Sequence, residues 1–451
     1  MLLVVAFEQS AGDVPIERAS PIDMMELASD VGPVPAQVGA ILRFAPGAHL
    51  SAGAVRDALA DRIRGIPRLR QQLVSTPPGC GRPVWVDDPG CDITRHVHAV
   101  RCPPPGDEEA LLRVAADVVT RRLPPDQPLW SATLVTHLAA DGCALIVVFH
   151  HVLADGMGGL AVLANLVDGV DSPRPTDFPR PKPSWRRLAG DAAVGRLRAL
   201  TRLAGVPARL RDALAELRPG ATLRAPRCSL NRPVGTRRRF GVVRADLAEV
   251  RSVGHEHGAT VNDVVLAAVG GALSSRLTHR GEHVDHVVVS APISGRTQAT
   301  AAQLGNQVGV IPVTLRTSGR PLDRLGAIGD ATRAHKTGTR GASAALLAPV
   351  FRALAMLGAL RWLIERQHLV TTFVTNLRGP DAPVSFLGAT IAEVVPLNMV
   401  TGNVTVAFAV LSYAGTLTVT VTVDADAVPD SGLLVDALRA ELDALTRGAE
   451  S

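Results

Sequence analysis

Apolar and polar positions along this chain alternate between short strand-like runs and helix-like segments. Residues 145–149, Leu-Ile-Val-Val-Phe, form an unbroken apolar, β-branched run of the length expected for a buried strand. A second such run covers 131–138. Ala139, Ala140, Asp141 and Gly142 between them make a turn sequence, so the pattern predicts an antiparallel hairpin that ends on His150. Residues 160–167 then read as a helix, giving a strand, a glycine-rich loop and a helix in succession. Thr260 followed by Val261, Asn262 and Asp263 predicts a helix to about Arg276, with Thr260 as N-cap and Asp263 in the capping-box position. Residues 404–412 and 416–423 predict a second hairpin turning at Ala414 and Gly415. In its second arm Leu417, Val419, Val421 and Val423 alternate with threonines, which is the period of a strand.

A length of 451 residues exceeds the size at which one core usually stops growing, so two domains are expected. The proline-rich, polar stretch 171–183 has the composition of a stiff connector. It suggests an N-terminal domain over 1–180, a proline-rich and basic helical linker over 181–235, and a C-terminal domain over 236–451. The linker interleaves Arg186, Arg187, Arg196, Arg198, Arg202, Arg209 and Arg211 with Leu and Ala.

Composition narrows the function classes. Hydrophobic residues make up 47% of the chain, yet the longest uncharged stretch, 394–423, is broken by Pro396, Asn398, Asn403 and Gly415 and reads as strands, not as a membrane span. Residues 1–7 are apolar but lack a basic n-region and meet Glu8 at once, so a cytoplasmic start is expected in place of a cleaved signal. Five cysteines without a Cys-x-x-Cys pair describe neither a disulfide framework nor a zinc site. A net charge of +5 and one tyrosine give little footing for nucleic acid.

The candidate chemistry lies where the first hairpin ends, at His150, His151, Asp155, Gly156, Gly158 and Gly159. Side chains alternate across a strand, so His150 and His151 face opposite ways and at most one enters a given cavity. The glycines admit close backbone approach and a tight entry to the helix. Their spacing does not fit a G-x-G-x-x-G nucleotide loop. A metal would need a third donor beside His151 and Asp155, and no nearby cluster supplies one. G-x-S-x-G elbows and P-loops are also missing from the sequence.

The pattern His-His-x-x-x-Asp-Gly resembles the signature of acyltransferases with the chloramphenicol acetyltransferase-like fold. Further blocks resemble the bacterial wax ester synthase/diacylglycerol acyltransferase family: Ser20 to Asp23, Pro128-Leu129-Trp130, Asn262 to Leu266, Gly305-Asn306, Thr375 to Pro380, and Ser412 to Gly415. They span nearly the whole chain. The resemblance implies an α/β fold of two such domains, with mixed sheets flanked by helices and an active-site tunnel between them. It implies transfer of a long-chain acyl group from acyl-CoA to diacylglycerol or a fatty alcohol, without a cofactor or metal. It also implies His151 as general base, and it favours Asp155 as an anchor of the loop over a direct catalytic partner; the strand points His150 away to brace the loop, and Arg296 is the partner expected for Asp155 because an arginine can pair with a carboxylate through two parallel bonds. Asn262 and Asn306 either position substrate, as the family blocks imply, or serve helix first-turn bonding and a turn; Asp263 is a cap. Gly158 is placed on the substrate side of the loop. Arg378, where many relatives carry proline, is expected to alter the local loop and the acceptor preference. A lipid acceptor implies a peripheral membrane or lipid-droplet surface as partner, with the basic segment from Trp185 and residues 344–364 as two segments able to serve; both can instead bury their apolar faces in the core or line the tunnel, and for 344–364 that is the expected role. A tailoring acyltransferase acting on a specialised metabolite, and an idle lipid-binding protein, are the alternative readings.

Overall fold

The structure, a computed structural model, describes residues 15–30, 32–153, 156–170, 177–201, 224–294, 308–336, 354 and 359–447. Two six-stranded sheets organise it. Strands are numbered in chain order: β1 Gln37–Phe44, β2 Gln71–Val74, β3 Val84–Asp87, β4 Val97–Arg101, β5 Trp130–Leu138, β6 Gly142–His150 and β7 Arg238–Asp246. They continue with β8 His286–Ser294, β9 Val308–Arg316, β10 Thr372–Arg378, β11 Ser385–Phe386, β12 Ala389–Leu397, β13 Val406–Tyr413 and β14 Thr416–Asp424. The first sheet runs β11-β12-β1-β6-β5-β4 and the second β7-β14-β13-β10-β8-β9. Both are mixed, because β5 pairs in parallel with β4, and β10 in parallel with β8 and β13.

Both hairpins form where the apolar pattern predicts them. In the first, β5 and β6 turn through Ala139–Asp141, with Ala140 and Asp141 in the left-handed region at φ 56° and 53°. The Pro128-Leu129-Trp130 block secures this hairpin. Trp130 is buried, its indole N–H donates to Leu69 O at 2.8 Å, and its ring stacks on His96 at 4.7 Å. The helix Val261–His279 begins at Thr260 with the expected capping box, and Asp263 also accepts from the Thr332 hydroxyl at 2.8 Å. In the second hairpin the Leu417, Val419, Val421 and Val423 face enters the core of the second sheet. The alternate threonines are buried as well, and Thr422 Oγ1 donates to Asn398 O at 3.4 Å.

The boundary expected at 236 does not separate the sheets. Strands β11 and β12, from the second half of the chain, complete the first sheet, with β12 pairing antiparallel along β1 from Gly39↔Leu397 to Phe44↔Ile391. The first half would otherwise present β1 as an open edge, and β12 covers it. The helix Trp185–Thr201, expected in the linker, also packs on the first half: Leu188 is buried beside Cys80, Val84 and Val86, and Arg18 pairs with Asp191. Residues 344–353 of the apolar segment lie outside the described residues.

Charges tie the two halves as well. Arg43 of β1 reaches Glu108 at 3.3 Å and Glu393 at 3.1 Å, and Arg244 of β7 pairs with the same two carboxylates. Burial disfavours the Arg244 charge, but Glu393 and Glu108 outweigh it and raise the guanidinium above its ordinary value.

Gly39 sits between both partners of β1, where a Cβ would overlap the Val147 carbonyl oxygen. Backbone held in a sheet cannot step aside as a flexible side chain can. Gly39→Ala is therefore expected to lower stability by about 1–3 kcal/mol or more, read as a drop in the urea midpoint with the m-value unchanged.

Candidate active site

His150 ends β6 and His151 is the next residue, held by its N–H to Ala36 O at 2.8 Å. Their side chains part as alternation predicts. His150 is buried: Val152 N–H donates to its Nδ1 at 3.1 Å, which leaves Nε2 to carry the proton facing Asp30 Oδ2 at 3.2 Å. Asp30 also accepts from Arg122 at 2.6 Å and from Ala36 N–H at 3.1 Å. Burial pushes the Asp30 carboxyl up, but the bonds from His150 and Arg122 outweigh it and hold it at about 2. His150 therefore braces the loop.

His151 faces a narrow cavity of about 80 Å³ between the sheets. Its walls come from β1 (Val38, Gly39), β6 (Phe149), β10 (Thr375, Leu377), β12 (Val394, Leu397) and β13 (Ala409, Leu411). The helix Gly156–Asn165 closes one side through Gly159, Leu160 and Leu163. Gly159 lies so near the Phe149 ring that a Cβ would come within 2.9 Å of it, so the glycine admits the helix to this position. Gly158, beside it, is buried in the first turn. Leu160, Leu163, Val394 and Leu411 are shared with a wider pocket of about 530 Å³, which extends past Ala164, Val167, Ile391 and Tyr413 to Arg378, Gly379 and Pro380. These four side chains form a common apolar wall of the His151 cavity and the wider pocket.

Among the described residues, three polar side chains line the narrow cavity: His151, Thr375 and Asn398. Thr375 lies in a block recognised in the sequence, whereas Asn398 was noted there only as a break in an apolar run. Its position just past β12 depends on a pairing that no local pattern encodes. Asn262 is not among the described residues around this cavity. Its Oδ1 accepts from Asn376 Nδ2 at 3.3 Å, and Asn376 falls between Thr375 and Leu377 on the opposite face of β10. Asp263 is a cap. Asp155, Arg296 and Asn306, including the expected Asp155–Arg296 pair, lie outside the described residues; Gly156 begins the helix. Arg378 is exposed and paired with Asp381 at 2.9 Å, at the rim of the wider pocket. Among the described residues no group of His, Cys, Asp and Glu is arranged to hold a metal, and all five cysteines are free.

A family profile described as the wax ester synthase/diacylglycerol acyltransferase catalytic domain matches residues 19–265, and the C-terminal domain of that family matches 304–446. The chain belongs to this family. It is an acyltransferase, and its family transfers acyl groups to diacylglycerol or alcohols. Over 394 residues, 84% of each chain, it is 32% identical to the protein named "Probable diacyglycerol O-acyltransferase tgs1" of Mycobacterium tuberculosis. The wax ester synthase/diacylglycerol acyltransferase of Marinobacter aquaeolei VT8 shares its fold, with a TM-score of 0.68 and 22% identity over 96% of this chain and all of that one. The condensation domain of the monacolin K polyketide synthase MokA also superposes, with a TM-score of 0.63 and 14% identity over 97% and 98% of the two chains. These likenesses place the chain in the two-domain chloramphenicol acetyltransferase-like fold.

The Asp30–His150 contact generates a pH prediction. A carboxyl held at about 2 against an unfolded value of 3.8 adds stability that is fully present above the unfolded value and is lost as pH falls through the folded one. Asp30→Asn should cost about 2 kcal/mol near pH 6. The difference from the unaltered protein should shrink between pH 4 and pH 2, as measured by urea unfolding at each pH.

Proposed function

We propose that this acyltransferase moves a long-chain acyl group from acyl-CoA to the hydroxyl of diacylglycerol or a fatty alcohol, with His151 as general base. The observation that carries the reading is the position of His151, in an apolar cavity between the sheets that shares a wall with a wider apolar pocket. An acyl or alkyl chain loses contact with water against such apolar walls, which favours lipids over small polar acceptors. The acceptor hydroxyl gives its proton to Nε2 of His151 as its oxygen attacks the thioester carbonyl. The tetrahedral oxyanion then collapses, the C–S bond breaks, and the imidazolium returns the proton to the leaving thiolate, so that free coenzyme A and an ester result. Thr375 and Asn398 are the polar side chains placed to orient the reacting groups. No acyl-enzyme intermediate is needed.

His151→Ala should lower ester formation on the order of 10²–10⁴-fold while leaving the fold intact. Products identified by mass from a panel of acyl-CoAs and alcohols test both acceptor and base: full activity in the variant would overturn the base, and esters formed only with polar metabolites would overturn the lipid acceptor.

A lipid acceptor must be collected from a lipid surface, and no helix among the described residues is long and apolar enough to cross a membrane. The helix Trp185–Thr201 offers a peripheral contact. Leu188 and Ala192 bury one face against the first half, while Trp185 and Leu197 stand 61% and 64% exposed among Arg186, Arg196 and Arg198. Apolar side chains ringed by arginines suit the boundary of an anionic lipid surface, each charge contributing ~1 kcal/mol at most under low salt. Flotation with anionic vesicles should recover the protein at low salt and lose it progressively with added salt, and the Arg186→Gln/Arg198→Gln double variant should bind more weakly. Active enzyme that fails to float at low salt would show that the acceptor arrives by another path.

A further inference from the structure

The helix Pro21–Ser29 begins with a capping box, Ser20 with Asp23, and ends beside the two histidines with two carboxylates one turn apart. Glu26 lies in its last turn and Asp30 is its C-cap, so an i, i+4 spacing sets both on one side of the helix. Asp30 takes His150, as described. Glu26 Oε2 lies 3.5 Å from Nδ1 of His151, with the carboxylate only 16% exposed.

Two carboxylates at this end of a helix need an answering charge. The last turn presents its unpaired carbonyls, which disfavour anions, and no basic side chain stands there to offset them. Asp30 is offset by Arg122 and His150. Glu26 faces the imidazole of His151. An ionised carboxylate can only accept a hydrogen bond, whereas a neutral imidazole carries one N–H. At 3.5 Å the contact makes no hydrogen bond, so the carboxylate acts on the ring through its charge, which favours a proton on the nearer nitrogen, Nδ1.

We infer that Glu26 is a positioning residue for the reaction: its charge, beside Nδ1, favours the Nδ1–H tautomer of His151 and stabilises the imidazolium formed when the acceptor proton reaches Nε2. This rests on the reading of His151 as the base. The charged groups facing the histidine pair from the described elements are Glu26 and Asp30, the latter shared with Arg122. Glu26 belongs to no sequence block that marks the reaction, and its role emerges only when the helix is set against the end of β6.

Ring ¹⁵N spectra of histidine-labelled protein, with the His151 signals assigned by their loss in His151→Ala, read the tautomer directly. The parent should show Nδ1–H, and Glu26→Ala should move His151 towards the Nε2–H form. The same variant should lower kcat by about 10–100-fold with KM for acyl-CoA within about twofold, and Glu26→Asp should recover part of the loss. A Glu26→Ala protein that keeps both the parent tautomer and the parent kcat would overturn the assignment. So would a loss that appears equally in kcat and in the unfolding midpoint, with no change of tautomer. If His151→Ala proves fully active, the base reading falls and the catalytic role of Glu26 with it; if His151→Ala is inactive and Glu26→Ala is not, the assignment of Glu26 alone is wrong.

Discussion

The site depends on the pairing of β12 with β1. Without it β1 would be an edge strand, and the first sheet would lose the wall that brings Val394 and Leu397 to the His151 cavity. The pairing also draws the second sheet into place. Asn398, the residue after β12, bonds to the Phe408 carbonyl and accepts from Thr422, while the Tyr413 hydroxyl donates to Ile391 O at 2.8 Å and accepts from Val384 N–H. A strand lent by one half of the chain to the other thus makes the cavity a property of both. Arg43, Glu108, Arg244 and Glu393 repeat the linkage in charge, since the two arginines come from β1 and β7 and share the same pair of carboxylates.

The two histidines show how neighbours in sequence acquire different work. Alternation at the end of β6 sends them apart, and what each meets decides the rest. His150 goes into a buried pocket, accepts at Nδ1 from a backbone N–H, and donates to a carboxylate that Arg122 also holds, so both of its nitrogens are committed. Such a group has little freedom to exchange a proton with substrate. His151 borders a cavity whose lining is otherwise almost wholly apolar. With His151 as the proposed base, few other polar groups among the described residues would compete for the hydroxyl, and the charge it gained would have to be stabilised by the protein.

Local features of the fold were legible in the sequence, and non-local ones were not. The β5–β6 hairpin follows from an apolar run, a turn sequence and a second apolar run; the helix from Val261 follows from Thr260 and Asp263 three residues apart. Each needs information from only a few neighbouring residues. The family blocks added the histidine motif and the two-domain fold. The lending of β12 could not be read, because an apolar strand such as 389–397 fits many edges and only the assembled sheet selects one. The boundary drawn at 236 follows composition along the chain, whereas the sheets follow pairing across it. Asn262 stands beside the catalytic blocks in sequence, yet strand alternation in β10 sets its partner Asn376 on the face away from the cavity. Glu26 and Asn398 carry no signal of their own in the sequence; each matters through the side chain it is folded against.

The helix Pro21–Ser29 joins these threads. Its N-terminus is secured by a capping box made of adjacent residues, a feature that stabilises any helix and says nothing of function. Its C-terminal end places carboxylates where the helix itself disfavours them. A structural helix would be more stable with a lysine or arginine there. The arrangement becomes favourable only when the histidine pair is set against it, so folding of the first sheet and the meeting of this helix with His150 and His151 are one event. On the proposed reading of His151, local stability is given up at this helix end in return for an electrostatic environment that suits an imidazolium beside an apolar cavity.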